Sequence, residues 1–302
     1  MRTLSGRALA LAVTAVLLGG CGAGGTDPDG GARTAPAHSS HSASPSRPGG
    51  TPRHEEAPAR PWNVHPGSVA ALGDSITRGF DACHPLQDCP DVSWATGSRA
   101  TVDSLSSRLG AAGSWNLAQS GARVADLPAQ VRRAAAHHPA LVTVLIGAND
   151  ACAASTAAMT PVADFRASFT AALAALHRAL PTTEVLVASI PDLRRLWSVG
   201  RTNPLGREVW KLGLCPTMLD APTSTDAAAT ARRATVRTRV QAYNTVLGQV
   251  CATYARCRYD GGAVFAYRFT TADLSEWDWF HPNQRGQTAL ASLLATVATS
   301  PT

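Results

Sequence analysis

Four short blocks, in one order along the chain, carry residue types that could do nucleophilic chemistry. Gly73-Asp74-Ser75 follows an apolar run. Asn116-Leu-Ala-Gln-Ser-Gly121 ends in glycine. Gly147-Ala-Asn149-Asp150 follows a second apolar run, and Asp278-Trp-Phe-His281 lies near the C-terminus. A serine hydroxyl is a poor nucleophile until a base takes its proton. His281 is a candidate base, and Asp278, three residues earlier, can hold its tautomer and stabilise the imidazolium. Asn149 and the glycine N–H groups offer hydrogen-bond donors for an oxyanion. Together these types suit hydrolysis of an ester. Taken singly, each block has a plainer reading: Ser75 as a helix N-cap, Gly121 and Asn149 as turn residues, His281 as a surface histidine before Pro282.

The elements that must position these blocks alternate. Apolar runs at Ser68–Leu72, Trp115–Leu117, Leu141–Ile146, Glu184–Ile190 and Gly262–Phe265 read as strands. Helical patterns cover Thr101–Leu109, Leu127–Ala136, Val162–Leu180, Ala228–Ala255 and Gly286–Val297. Uninterrupted apolar strands separated by helices indicate a parallel sheet covered on both faces, an α/β/α three-layer sandwich. Such sheets place their sites at the carboxyl ends of the strands. Ser75, Gly121 and Asn149 each follow an expected strand, so they should meet at one sheet edge, and His281 follows the last strand by a loop.

The ordered blocks, over residues 68–299, resemble the SGNH (GDSL) hydrolase superfamily. The resemblance implies a flavodoxin-like fold and a serine carboxylic-ester hydrolase. It assigns Ser75 as nucleophile, His281 as base and Asp278 as its partner, although some members orient the histidine with a backbone carbonyl. It assigns the oxyanion donors to the N–H groups of Ser75 and Gly121 and the Asn149 amide. Asp74 and Asp150 read as residues that cap or orient the site loops. No Gly-x-Ser-x-Gly elbow occurs, which argues against an α/β-hydrolase. No metal or organic cofactor is implied.

The connection from Ile190 to Leu219 holds Arg194, Arg195, Arg201, Trp197 and Trp210, and it looks similar to phospholipase B-like members. The three arginines are candidates for a lipid phosphate, against a reading as solvated or internally paired charges. Lipid or phospholipid esters are therefore the leading substrates. A carbohydrate O-acetyl esterase is the alternative, with Trp94, Trp277 and Trp279 as candidates for stacking on sugar. A non-catalytic binding lipoprotein on the same fold is a third reading.

The chain divides into three segments. In residues 1–20, Arg2 and Arg7 precede an apolar stretch, Ala8–Leu18, which reads as a signal peptide. It ends Leu18-Gly19-Gly20-Cys21, resembling a bacterial lipobox, so Cys21 is the expected lipidation site and the membrane surface an expected partner. Residues 21–61, rich in Gly, Pro, Ser and His, cannot bury enough surface to fold and read as a tether with a root-mean-square span of roughly 35–40 Å. His38, His41 and His54 lie there at irregular spacing. Residues 62–302 form the hydrolase domain, expected to be monomeric.

The net charge of +6 is spread along the sequence without a basic stripe, so nucleic acid is not an expected partner. The remaining cysteines, Cys83, Cys89, Cys152, Cys215, Cys251 and Cys257, are even in number in an exported chain and imply disulfides. The two close pairs favour sequential pairing, which leaves Cys152 with Cys215. No metal site is expected, since neither CxxC nor zinc-ligand spacing occurs.

Overall fold

The computed structural model describes residues 61–301. The signal segment, Cys21 and the tether up to residue 60, with its three histidines, lie outside the described residues. The chain begins β1 (Ser68–Gly73), α1 (Ser75–Arg78), α2 (Leu105–Arg108), β2 (Gly113–Asn116), α3 (Leu127–Ala135), β3 (Leu141–Leu145) and α4 (Ala148–Ala151). It continues α5 (Val162–Ala179), β4 (Glu184–Val187), α6 (Leu193–Gly200), α7 (Pro204–Trp210) and α8 (Pro216–Leu219). It closes with α9 (Ala227–Cys251), β5 (Cys257–Tyr259), α10 (Ala263–Ala266) and α11 (Gln284–Thr299).

The strands form one five-stranded sheet in the order β2-β1-β3-β4-β5, with every pair parallel. The central strands are buried on both faces, which is why Val69–Leu72 and Leu141–Leu145 read as continuous apolar runs. Helices α3, α5 and α9 pack together on one face, and α2 packs with α11 on the other. Phe165 on α5 stacks on Tyr243 of α9 at 4.1 Å. From β1 the chain adds β2 on one side and then crosses back to add β3 on the other, so the β1–β3 boundary is the topological switch point where sheets of this order bind ligands. Gly73 pairs with Leu145, so β1 and β3 end side by side.

One expected strand was misplaced. Residues 262–265 are not extended: Gly262 is left-handed, and Asp260 accepts from Gly262 N and Val264 N, which turns the chain into α10. The fifth strand is instead Cys-Arg-Tyr at 257–259. Its arginine masked the apolar signal, because Arg258 reaches out to the end of α11 and donates to the carbonyls of Val297 and Ser300. The expected helix at 101–109 shrinks to α2 because Asp103 takes a positive φ and Ser104 caps the helix after it. The disulfides pair as the spacing suggested: Cys83–Cys89, Cys152–Cys215 and Cys251–Cys257. No helix among the described residues is long and apolar enough to cross a membrane.

Candidate active site

Ser75 opens α1 directly after β1. The turn between them needs Gly73: its φ is +150°, and a Cβ would stand 2.3 Å from the Leu145 carbonyl oxygen. Gln130 on α3 locks that glycine, donating to its carbonyl and accepting from its N–H, both at 2.8 Å. Asp74 caps α1 by accepting from Ile76 N at 3.0 Å. On the other side, buried Gln287 of α11 donates to the Ile76 carbonyl at 2.9 Å and accepts from Trp94 N at 2.8 Å. Ser75 is thus fixed from both faces of the sheet. It is 8% exposed, enough for the hydroxyl to meet a ligand.

The Asp278–His281 segment is a tight turn with Trp279 at φ +51°. Asp278 Oδ1 accepts from the backbone N–H groups of Phe280 at 2.8 Å and His281 at 2.9 Å. Its Oδ2 meets His281 Nδ1 at 2.5 Å, and His281 Nε2 lies 2.9 Å from Ser75 Oγ. An ionised carboxylate accepts only, so it keeps the proton on Nδ1 and leaves Nε2 free to accept from the serine hydroxyl. The turn is braced from α7, where Trp210 Nε1 donates to the Asp278 carbonyl at 2.7 Å. Phe80 stands edge-on to the imidazole at 5.1 Å.

Gly121 and Asn149 line the same cavity as Ser75 and His281. A Cβ at Gly121 would meet no protein atom within 4 Å, and its φ of +82° is what favours glycine there. Asn149 sits in α4, and its Nδ2 donates one hydrogen to the Ala122 carbonyl at 2.9 Å. The second amide hydrogen is left for another acceptor. Asp150 accepts from Val124 N at 2.9 Å and Thr160 Oγ1 at 2.8 Å, so it organises the loops behind Asn149.

Burial by itself would lower the His281 pKa, but the charge and hydrogen bond of Asp278, with help from Asp81 and Asp74, outweigh it and hold the imidazole above its usual value. Burial works against ionised Asp278 too, and the facing imidazole and the hydrogen bonds it accepts hold it below the usual carboxylate range. Asp74 is pushed up to about 7 by burial, partly offset by its bond to Ile76 N. Burial also raises the Asp150 carboxyl.

The structure redistributes the other expected residues. Arg195 donates to the Phe269 carbonyl at 2.7 Å, and Arg201 lies over the Trp197 ring at 4.6 Å, so both serve the scaffold. Arg194 is exposed. Trp94 is fully buried in the core and cannot stack on a sugar. Trp279 is half-buried against Gly206 of α7, and Trp277 is exposed. Cys152 and Cys215 both line the cavity, so their bridge forms part of its wall. Sequence reading missed the apolar lining: Ile76, Phe80, Leu193, Leu196, Leu214 and Phe280. The spacing of Leu193 and Leu196, one helical turn apart, was the one local sign of it.

A serine hydroxyl, an imidazole and a carboxylate stand in one hydrogen-bonded chain at the switch point of a parallel sheet, an arrangement able to activate the hydroxyl as a nucleophile, and the family the chain matches makes it an ester-bond hydrolase. The chain belongs to the GDSL-like lipase/acylhydrolase family, whose model matches residues 69–294. No curated protein matches it significantly. Solved structures similar to it include phospholipase A1 from Streptomyces albidoflavus NA297, 17% identical, covering 78% of this chain and 100% of that one, with a TM-score of 0.49. Another is an extracellular lipase from Streptomyces rimosus, 18% identical, covering 76% and 99%, with a TM-score of 0.43. A family two carbohydrate esterase from Clostridium thermocellum is 15% identical, covering 78% and 64%, with a TM-score of 0.49.

Proposed function

We propose that the protein hydrolyses carboxylic esters of lipids through an acyl-enzyme on Ser75. His281 Nε2 takes the Ser75 proton as Oγ attacks the ester carbonyl. The oxyanion is received by the N–H groups of Ser75 and Gly121 and the free amide hydrogen of Asn149. His281 then passes its proton to the leaving alcohol, and water repeats the sequence on the acyl-enzyme. Asp278 keeps the imidazole in the productive tautomer throughout. The 2.9 Å approach of His281 Nε2 to Ser75 Oγ carries this reading, because a base within hydrogen-bond reach is the geometric requirement for activating the hydroxyl.

The lipid preference rests on the cavity beside that hydroxyl. It holds about 290 Å³ and is walled by two phenylalanines and four aliphatic side chains. At ~30 Å³ per water-sized unit, roughly ten such units fit, which suits a medium-length acyl chain. An acetyl group would leave most of that wall uncovered. The carbohydrate esterase reading keeps one observation, exposed Trp277 beside Asp278. Purified protein should be assayed on p-nitrophenyl esters of graded length, then on phospholipids and acetylated xylan. The lipid reading expects kcat/KM to rise from acetate to medium chains. Peak activity on acetate and xylan would overturn it. Inactivity on every ester would favour the non-catalytic binding reading.

We further propose that lipidated Cys21 holds this domain on the outer face of the membrane. Cys21→Ser should then release the protein to the medium, and retention in the membrane fraction would contradict it.

A further inference from the structure

Asp81 is a further carboxyl group behind the candidate site. It lies 2% exposed in the turn that follows α1, far in sequence from the Asp278–His281 block. Oxygen and nitrogen atoms of Asp81, Asp278 and His281 lie within 4.8 Å of one another. The contact is held by backbone on both sides. Ser275 Oγ donates to the Asp81 carbonyl at 2.7 Å, while Ser275 N donates to the His281 carbonyl at 2.8 Å. Asp81 N donates to the Gln87 carbonyl at 2.9 Å, and Asp81 Oδ1 accepts from Leu86 N. The residue takes φ +56°, a conformation that aspartate and asparagine tolerate better than most side chains. So many fixed points place a second carboxyl against the Asp278–His281 pair without requiring it to touch substrate.

We propose that Asp81 is a positioning residue: through Asp278 and the field at His281 it sets how firmly the imidazole holds its proton. This rests on the reading of Ser75, His281 and Asp278 given above. A separate cavity of about 340 Å³, lined by Asp81, Ser275, Glu276, Trp277 and Arg285 among others but not by Ser75, reaches Asp81. Asp81 can therefore exchange its proton with water while substrate fills the other cavity. The charged and titratable groups around it are Asp278 and His281 on the turn, Asp74 close to His281, and Glu276 and Arg285 across the cavity, the last paired with Asp273 at 3.0 Å. Burial and the Asp278 charge push the Asp81 carboxyl up to about 6. His281, held above its usual value, loses its proton after Asp81 has become charged. A negative Asp81 then helps retain the imidazolium.

Asp81→Asn removes that charge, keeps an acceptor for Leu86 N and suits the positive φ. The acidic limb of the kcat/KM profile should move down by about one pH unit, the low end of the effect of a charge ~4–6 Å away. The imidazole shift of His281, followed by NMR across the same range, should move with it, and KM should stay near the wild-type value. Asp81→Glu, which keeps the charge, should restore most of the limb. An unmoved limb and unmoved NMR titration in a folded Asp81→Asn protein would leave Asp81 a scaffold residue and overturn the proposal. Ser75→Ala measured in parallel separates the failures: a variant that stays active refutes the underlying site, whatever Asp81 does.

Discussion

The Asp278→Asn variant reads out the hydrogen-bonded chain most sharply. Asn Oδ1 can still accept from the backbone N–H groups of Phe280 and His281, so the turn keeps its shape. The position facing Nδ1 becomes an NH₂ donor. A donor opposite Nδ1–H is repulsive, so the imidazole moves its proton to Nε2, which then donates toward Ser75 Oγ instead of accepting from it. The base is lost without any change of volume. In the chymotrypsin-like triad, the same exchange costs ~10⁴ in kcat. A loss of ~10³–10⁴ is expected here, about 4–5.5 kcal/mol of transition-state stabilisation. The second consequence has a definite sign. Activity requires neutral His281, so it falls as pH drops through the His281 pKa. Asp278 holds that pKa up, so its neutralisation moves the midpoint to lower pH. Stopped assays of kcat and kcat/KM from pH 4.5 to 9 give both quantities. A variant within tenfold of wild type and an unmoved midpoint would refute this reasoning and leave a Ser75–His281 dyad.

Three further outcomes follow from the geometry. Asn149→Ala removes one oxyanion donor and should lower kcat by ~10²–10³ with KM little changed; near-normal turnover in steady-state assays would return Asn149 to a turn residue. Replacing Cys152 and Cys215 by serine opens a bridge with a sequence separation of 63, worth about 4 kcal/mol in the chain-entropy model; the thermal midpoint should fall, and because the bridge walls the cavity, the acyl-length profile should broaden as well. Leu214→Trp fills part of the apolar cavity, so turnover on medium-chain esters should fall while short esters are spared, a contrast readable on the p-nitrophenyl series.

The sheet was legible because its central strands are buried on both faces and their residues are almost all apolar, with Thr143 the one polar residue of Leu141-Val-Thr-Val-Leu145. The edge strand was not, since Arg258 belongs to it and caps α11. In the connection after β4, the Asn203-Pro204 and Cys215-Pro216 pairs mark the starts of α7 and α8. No apolar period was long enough to turn them into assigned helices. Ser75, Gly121, Asn149, Asp278 and His281 could be named because each sits in a short local block at the end of an element. Asp81 could not: it meets Asp278 only because the turn after α1 and the turn before α11 close on one another. Leu214 and Phe80 were hidden for the same reason. The role of Trp94 was misread because its burial in the core is a matter of chain-distant packing, which local sequence does not reveal.

The central claim is that Ser75 is the covalent nucleophile, and the most direct measurement is intact mass with peptide mapping after exposure to a fluorophosphonate. The account expects a single adduct, on the peptide containing Ser75, its formation slowed at low pH and competed by a medium-chain ester. Ser75→Ala should remain unmodified while retaining the wild-type thermal midpoint. An adduct on any other serine, or ester turnover that survives in the Ser75→Ala protein, would contradict it.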